Sequence, residues 1–423
     1  MKSIKVLMVL PHFEHDLFAG NYRRIFEFIT RCYKYNIDYS TIEFVPLSIR
    51  IALIKKVLGY NLCSYPIYLS KGFGSKYDEN RIVFLILNIF SIIRTVMNIR
   101  REQPFHIVMV PDALPSWVIF GFIVSRILRR PLCITVQLVP QWLIESEGSN
   151  YRSLQKHFRK KYSLLSSIFY AILALMYLKI LGNSYLIFVS ESSQREFITK
   201  VKVCKKTFVN YNGITVHEKF RKSENIPYDA CFVGFHDERK GIFDLINAWN
   251  FVVKEKPNAK LITCGGIAPE TKRIISEMLS EFKLNNNIIL KGIVDEETKH
   301  QILSASKIFV FPSKHESQSI AVGEALGMGL PVVAYDIPAL RDSYGECRAV
   351  FLCKKDDLNE LARRILELLE KNWLEFSSLS QVAKSFIQQK YTWEATMNKE
   401  RNIYISIIAN WYRKKGYHEN PSP

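Results

Sequence analysis

KIFVFPSKHESQSIAVGEALGMGLPVVAYD, residues 307–336, is the stretch that sets the fold. Ile308 to Ser313 reads as a buried strand, and the run after it has helical spacing that ends at Gly327 and Gly329. PVVAYD then supplies a second strand. A strand, a loop, a helix start and a parallel strand place the loop at the carboxyl end of the first strand, where open α/β sheets bind ligands. The backbone N–H groups of Ser319, Ile320 and Ala321 open the helix and offer a partial positive charge to an anion. Glu316 precedes that start and Glu324 lies inside the helix. Carboxylates on either side of a phosphate cradle suit a sugar nucleotide, one for the sugar and one for the ribose.

Working outward, the same alternation recurs. KVLMVL, HIVMV, PLCITVQ and YLIFVS read as strands in the first half, with helices at NYRRIFEFITRCYKY and WVIFGFIVSRILRR. The second half starts afresh at KTFVNYNGI and continues through DACFVGF, AKLITCGG and NNIILKG. Strands alternating with helices predict parallel sheets, hence an α/β fold. The 423-residue chain is long enough for two cores. The polar stretch within residues 205–225 marks the boundary. The expected organisation is a first domain over 1–208, a second over 209–395 and a closing helical segment over 396–423.

Eight cysteines are scattered without a C-x-x-C pair, so neither a zinc site nor a disulfide framework is expected, and a reducing compartment is. The start reads as a first strand rather than a secretory signal. The net charge of +18 is uneven: residues 1–208 hold 29 Lys+Arg against 13 Asp+Glu, and the remainder 29 against 27. The basic half favours an anionic partner. Within it, Tyr151 to Gly182 sets five basic residues ahead of a 15-residue apolar run, Leu164 to Leu178. That run is short of the roughly 20 residues needed to span a bilayer. A basic flank on an apolar helix is the pattern of an interfacial membrane helix.

In order along the chain stand Ala19-Gly20-Asn21, VSESSQREF, Asn212-Gly213-Ile214, FVGFHDERKG, the glutamate pair and Tyr391-Thr392-Trp393-Glu394 ahead of a tyrosine-containing helix. This ordered set resembles the large retaining glycosyltransferase family GT4, which has the GT-B fold. The likeness covers nearly the whole chain and is strongest from Thr207 to about Tyr404. The resemblance implies two Rossmann-like domains with parallel sheets facing a central cleft, and a C-terminal helix crossing back to the first domain. It implies Glu316 against the donor sugar, Glu324 on the nucleotide ribose and Lys240 on the diphosphate. Gly234, Ser319, Ile320, Ala321, Gly292 and Ile293 complete the donor side, with Gly20 and Asn21 on the acceptor side. Two positions depart from the family pattern. Phe235 stands where an arginine is usual, with Arg239 four residues on as a substitute, and Gln137 stands where a histidine is common near the donor sugar.

The family's chemistry implies a nucleotide-diphosphate sugar as donor, no cofactor and no metal. The acceptor attacks the face the diphosphate leaves, and the departing phosphate takes the proton. The expected acceptor is a membrane-anchored or lipid-linked glycan, at the cytoplasmic face of an anionic membrane. A same-fold sugar-nucleotide epimerase, a phosphorolytic enzyme and a silent membrane or nucleic-acid scaffold are the competing readings. Against nucleic acid, the basic residues accompany an apolar run rather than aromatics at stacking spacing. His12, His15 and His315 are candidate ligands, with a solvated loop histidine the commoner case, and the loops near Gly20 and Lys71–Tyr77 are expected as selectors of the acceptor.

Overall fold

The computed structural model describes residues 3–10, 20–44, 63–67, 89–102, 104–146, 148–203, 205–216 and 226–415. The chain forms two compact units, residues 1–210 with 396–423, and residues 211–395.

The first unit is built on a seven-stranded sheet: β1 (Ile4–Leu10), β2 (Ile37–Phe44), β3 (Cys63–Ile67), β4 (Ile107–Val110), β5 (Leu132–Val136), β6 (Tyr185–Phe188) and β7 (Thr207–Val209). The strands are ordered β3-β2-β1-β4-β5-β6-β7 and every pairing is parallel. Helices cover both faces of such a sheet, so its strands are apolar throughout rather than alternating. Ile107–Val110 and Leu132–Val136 are buried at every position. The order reverses between β1 and β4. One expectation is corrected here: KTFVNYNGI does not begin the second unit. Its strand β7 pairs with β6, Leu186 against Thr207, because a parallel partner is reached only through the intervening helix Glu191–Lys200.

The helix expected at Leu164–Leu178 runs longer, from Leu164 to Gly182, 19 residues. Ser163 caps it by accepting from the Ser166 N–H, and Gly182 packs so closely on the Lys202 carbonyl that a Cβ would stand 2.6 Å from that oxygen. It is long and apolar enough to cross a membrane, and 33% of its apolar window is buried in the protein. Ala171, Ala174 and Leu178 pack inward, the helix lying against helix Pro115–Leu128. Leu165, Phe169, Ile172 and Met176, spaced four, three and four residues apart, form an exposed stripe on another face. The preceding helix Tyr151–Arg159 is capped by Asn150 and carries Lys156, His157 and Arg159 in its last turn.

The second unit holds β8 (Tyr228–Val233), β9 (Leu261–Cys264), β10 (Ile288–Leu290), β11 (Ser306–Phe311), β12 (Val332–Tyr335) and β13 (Val350–Cys353). Their order is β10-β9-β8-β11-β12-β13, again all parallel. The order reverses between β8 and β11, which puts the topological switch point, where such sheets bind ligands, at the carboxyl ends of those two neighbours. Beneath it lies a stack of Phe232, Phe311 and Phe309, and Trp249 of helix Ile242–Glu255 is fully buried. The final helix, Trp393–Arg413, enters from the second unit, and from Thr396 onward it belongs to the first.

Candidate active site

The loops leaving β8 and β11 are bound to each other. Gly241 has φ +74° and lies so close to the second loop that a Cβ would stand 1.9 Å from the Pro312 carbonyl oxygen, so only glycine fits. The Arg239 carbonyl accepts from the Lys314 N–H at 2.8 Å and from the Ser313 hydroxyl at 3.2 Å. Asp237 accepts from the Lys240 N–H at 2.7 Å and shapes the turn. These bonds deliver two charged side chains to one point. The Lys240 ammonium donates to Glu316 Oε1, which also accepts from Ser313 Oγ at 2.7 Å. Lys240 Nζ lies 5.5 Å from the centre of the Phe311 ring. The pair is largely shielded, with side chains 17% and 8% exposed. Arg239 turns elsewhere: its guanidinium is 3.9 Å from Asp237 and 40% exposed.

Helix Ile320–Gly327 starts just beyond Glu316. Among the described residues no side chain caps it, and its first turn holds no acidic residue, so its positive end is uncompensated. Ser319 enters it with φ 65°, a left-handed conformation uncommon for serine. Tyr344 Oη holds that geometry by donating to the Ser319 carbonyl at 2.9 Å. Gln318 is a further positioning residue that carries no sequence signal. Its Oε1 accepts from Asn212 N at 2.6 Å and its Nε2 donates to Asn212 O at 3.1 Å. Asn212-Gly213-Ile214 is thereby fastened to the site loop, with Gly213 against the Trp393 ring and Ile214 against Gly323.

Glu324 lies buried on the same helix, and Lys299 Nζ stands 2.9 Å from its Oε2 and 2.9 Å from Glu296 Oε1. Lys299 was not singled out from sequence, because its partner lies 25 residues on in a different helix. Glu296, His300 and Glu324 bring possible ligand atoms within 4.8 Å of one another. The Lys299 ammonium already supplies the positive charge at the two carboxylates. Nearby, burial pushes the Cys264 thiol up to about 11, with Lys299 pulling it down and Glu324 raising it.

The other expected donor-side positions line the same sheet edge. Gly234 N donates to Cys264 O at 3.0 Å, and Gly265 N to Gly292 O at 2.8 Å. Gly292 has φ +68° and the next residue, Ile293, is 76% exposed. Phe235 is half exposed and rests on Gly266. His236, which the sequence reading passed over, is buried with Nε2 2.8 Å from Thr263 Oγ1, and burial holds its imidazole below the usual range. His315 departs from the expected solvated histidine: it is half-buried, and its Nε2 is shielded with no partner among the described residues.

In the first unit, Gln137 follows β5 and is buried. Gly20, expected in a glycine loop, instead opens helix Gly20–Arg31, one residue ahead of the helix expected from Asn21. His12, His15 and Lys71–Tyr77 lie outside the described residues.

Comparison with known proteins agrees with this fold. The family described as "Glycosyl transferases group 1" matches residues 227–371. The chain is 21% identical over 344 residues to the capsular polysaccharide biosynthesis glycosyltransferase CapM of Staphylococcus aureus, covering 78% of this chain and 83% of that one. It is 30% identical over 165 residues to the poly(ribitol-phosphate) alpha-N-acetylglucosaminyltransferase of S. aureus strain COL, covering 38% and 32%. In structure it is similar to HepE of Anabaena in complex with UDP and glucose, with TM-score 0.69, 16% identity and coverage of 95% of this chain and 99% of the other.

Proposed function

We propose that this chain, which is a glycosyltransferase of the GT-B fold, moves a sugar with retention from a nucleotide-diphosphate donor to a membrane-anchored or lipid-linked glycan. The Lys240–Glu316 pair carries this reading, because it sits where the sheet order reverses and directly ahead of the uncapped helix start. Breaking the bond between the anomeric carbon and the phosphate oxygen leaves negative charge on the diphosphate. Lys240 and the amides of Ser319, Ile320 and Ala321 stabilise that charge, and Arg239 is a second cation in the loop. Glu316 binds the sugar hydroxyls and Glu324 the ribose. The acceptor oxygen bonds to the anomeric carbon from the face the diphosphate leaves, and its proton passes to the departing phosphate oxygen. The reading requires neither a protein base nor a metal. A nucleotide-sugar donor is further supported by the UDP and glucose bound to the structural relative. A glycan acceptor is supported by the polysaccharide and poly(ribitol-phosphate) named for the sequence relatives.

A thermal-shift panel of nucleotide diphosphates and nucleotide sugars tests the donor site. One compound at about 100 times its Kd should stabilise the protein by about 2.7 kcal/mol. Glu324→Ala should lose that shift. No shift with any compound, or the same shift in the variant, removes the donor assignment. The anomeric proton of the product, read by NMR, must show the donor's configuration; the opposite configuration excludes retention.

In this reading the acceptor side works at the cytoplasmic face of the cell membrane. Leu165, Phe169, Ile172 and Met176 would enter the headgroup boundary, with Arg152, Lys156, Arg159, Lys160 and Lys161 attracting anionic lipid. Vesicles containing phosphatidylglycerol should therefore sediment with the protein and neutral vesicles much less. Phe169→Glu with Ile172→Glu should weaken binding at least tenfold, about 1.4 kcal/mol. Equal binding by wild type and variant would falsify the placement.

A further inference from the structure

The first unit contains a cavity of about 460 Å³ that the transfer reaction does not use, and four of its lining residues are Arg100, Arg101, Arg129 and Arg130. Two come from the last turn of helix Ile89–Glu102, and two follow helix Pro115–Leu128. The cavity lies at the amino ends of β4 and β5, since Phe105 and Arg130 of its lining precede those strands. In a parallel sheet this is the edge opposite the one that carries Gln137.

Basic residues at helix carboxyl ends ordinarily offset the helix dipole, roughly half a negative charge per helix. Two helix ends account for about one of the four positive charges here. Among the described residues no carboxylate pairs with any of the four arginines; Arg130 Nη1 instead donates to the Tyr412 hydroxyl at 2.9 Å, which fixes its direction. Arg129 has φ 54° at the end of its helix, where glycine is the usual residue. An arginine kept in a conformation that disfavours a side chain points to use of that side chain. The neighbouring His106 senses the same field. Burial first, then the charges of Arg130 and Lys5, hold its imidazole below the usual range, and its Nδ1 accepts from the Lys5 N–H.

We infer that this cavity binds an organic phosphate, a phosphodiester held by the guanidinium forks with its carbon chain on Phe105 and Leu128. Planar guanidinium groups match phosphate oxygens two at a time, and the cavity volume falls in the range of small-ligand sites. The phosphate can arrive as a lipid headgroup or as a soluble phosphodiester, and the experiment separates them. Titration calorimetry with glycerophosphoglycerol and sedimentation with phosphatidylglycerol vesicles would be run on wild type, Arg101→Gln, Arg129→Gly and Lys240→Ala. Arg129→Gly suits the left-handed backbone, so the fold is retained while the guanidinium is lost. Pocket-dependent binding appears as a tenfold or greater rise in Kd in the two arginine variants, with Lys240→Ala like wild type. In the soluble arm this identifies a soluble phosphodiester, and in the vesicle arm alone a lipid headgroup. Affinity unchanged by Arg101→Gln and Arg129→Gly in both arms overturns the site, whatever the apolar stripe does on vesicles.

Discussion

Glu316→Ala is expected to lower kcat for sugar transfer about a thousandfold, while nucleotide diphosphate still binds within a few-fold of wild type. The carboxylate receives both the Lys240 ammonium and the Ser313 hydroxyl, so it fixes where the charge of Lys240 resides. Alanine removes the group assigned to the donor sugar and leaves Lys240 partly buried without its anion. Loss of a single preorganised electrostatic contact in a shielded site costs on the order of 10²–10³ in rate, and here two are disturbed together. Glu324→Gln should behave differently. It weakens ribose binding in ground state and transition state alike, so KM for the donor rises about tenfold and kcat stays within about threefold. Initial rates over a donor concentration series separate the two patterns. A Glu316→Ala enzyme with wild-type kcat would remove this carboxylate from the chemistry.

The contrast between these glutamates was readable because both belong to one contiguous strand–loop–helix–strand unit. Local spacing alone placed Glu316 at the loop and Glu324 on the helix, and Lys240 belongs to the matching loop after β8, the sheet neighbour of β11 three strands earlier in the chain. What stayed hidden depends on distant pairings. Gln318 meets Asn212 across 106 positions, and Lys299 reaches Glu324 from another helix. β2 and β3 were not singled out, since IDYSTIEF and CSYPI mix polar residues into the apolar pattern. KTFVNYNGI reads as one segment opening the second half, although its strand ends at Val209 and the units divide after Asn210, two residues past the expected boundary at 208. Gly20 was taken for a loop glycine because it follows a strand in sequence. The helical spacing of NYRRIFEFITRCYKY marks that helix from Asn21, one residue after its start.

The unit boundary also contains a fully buried ion pair of the first unit. Arg24 and Glu400 form an ion pair at 3.1 Å with side chains 1% and 0% exposed. Asn210 joins them: its Nδ2 donates to Glu400 Oε2 at 2.6 Å and to Thr396 O at 3.1 Å, and its carbonyl accepts from Arg24 Nη1 at 3.2 Å. Arg24 also lies 4.5 Å over the Phe28 ring, and Tyr39 meets the final helix through the Tyr404 hydroxyl at 3.0 Å. Helix Gly20–Arg31, the end of β7 and the final helix are thus tied at one buried point. Arg24→Met should destabilise the first unit by about 3–5 kcal/mol, because it leaves the Glu400 carboxylate in the core without this cation. At roughly 2–4 °C per kcal/mol, its calorimetric transition should fall by on the order of 10 °C. The double variant Arg24→Met/Glu400→Leu should recover part of that loss, since the carboxylate left without its cation is removed as well, and Asn210 Nδ2 keeps the Thr396 carbonyl. A loss in the double variant equal to the sum of the Arg24→Met and Glu400→Leu losses would mean that Arg24 and Glu400 stabilise the unit independently, through packing rather than through each other.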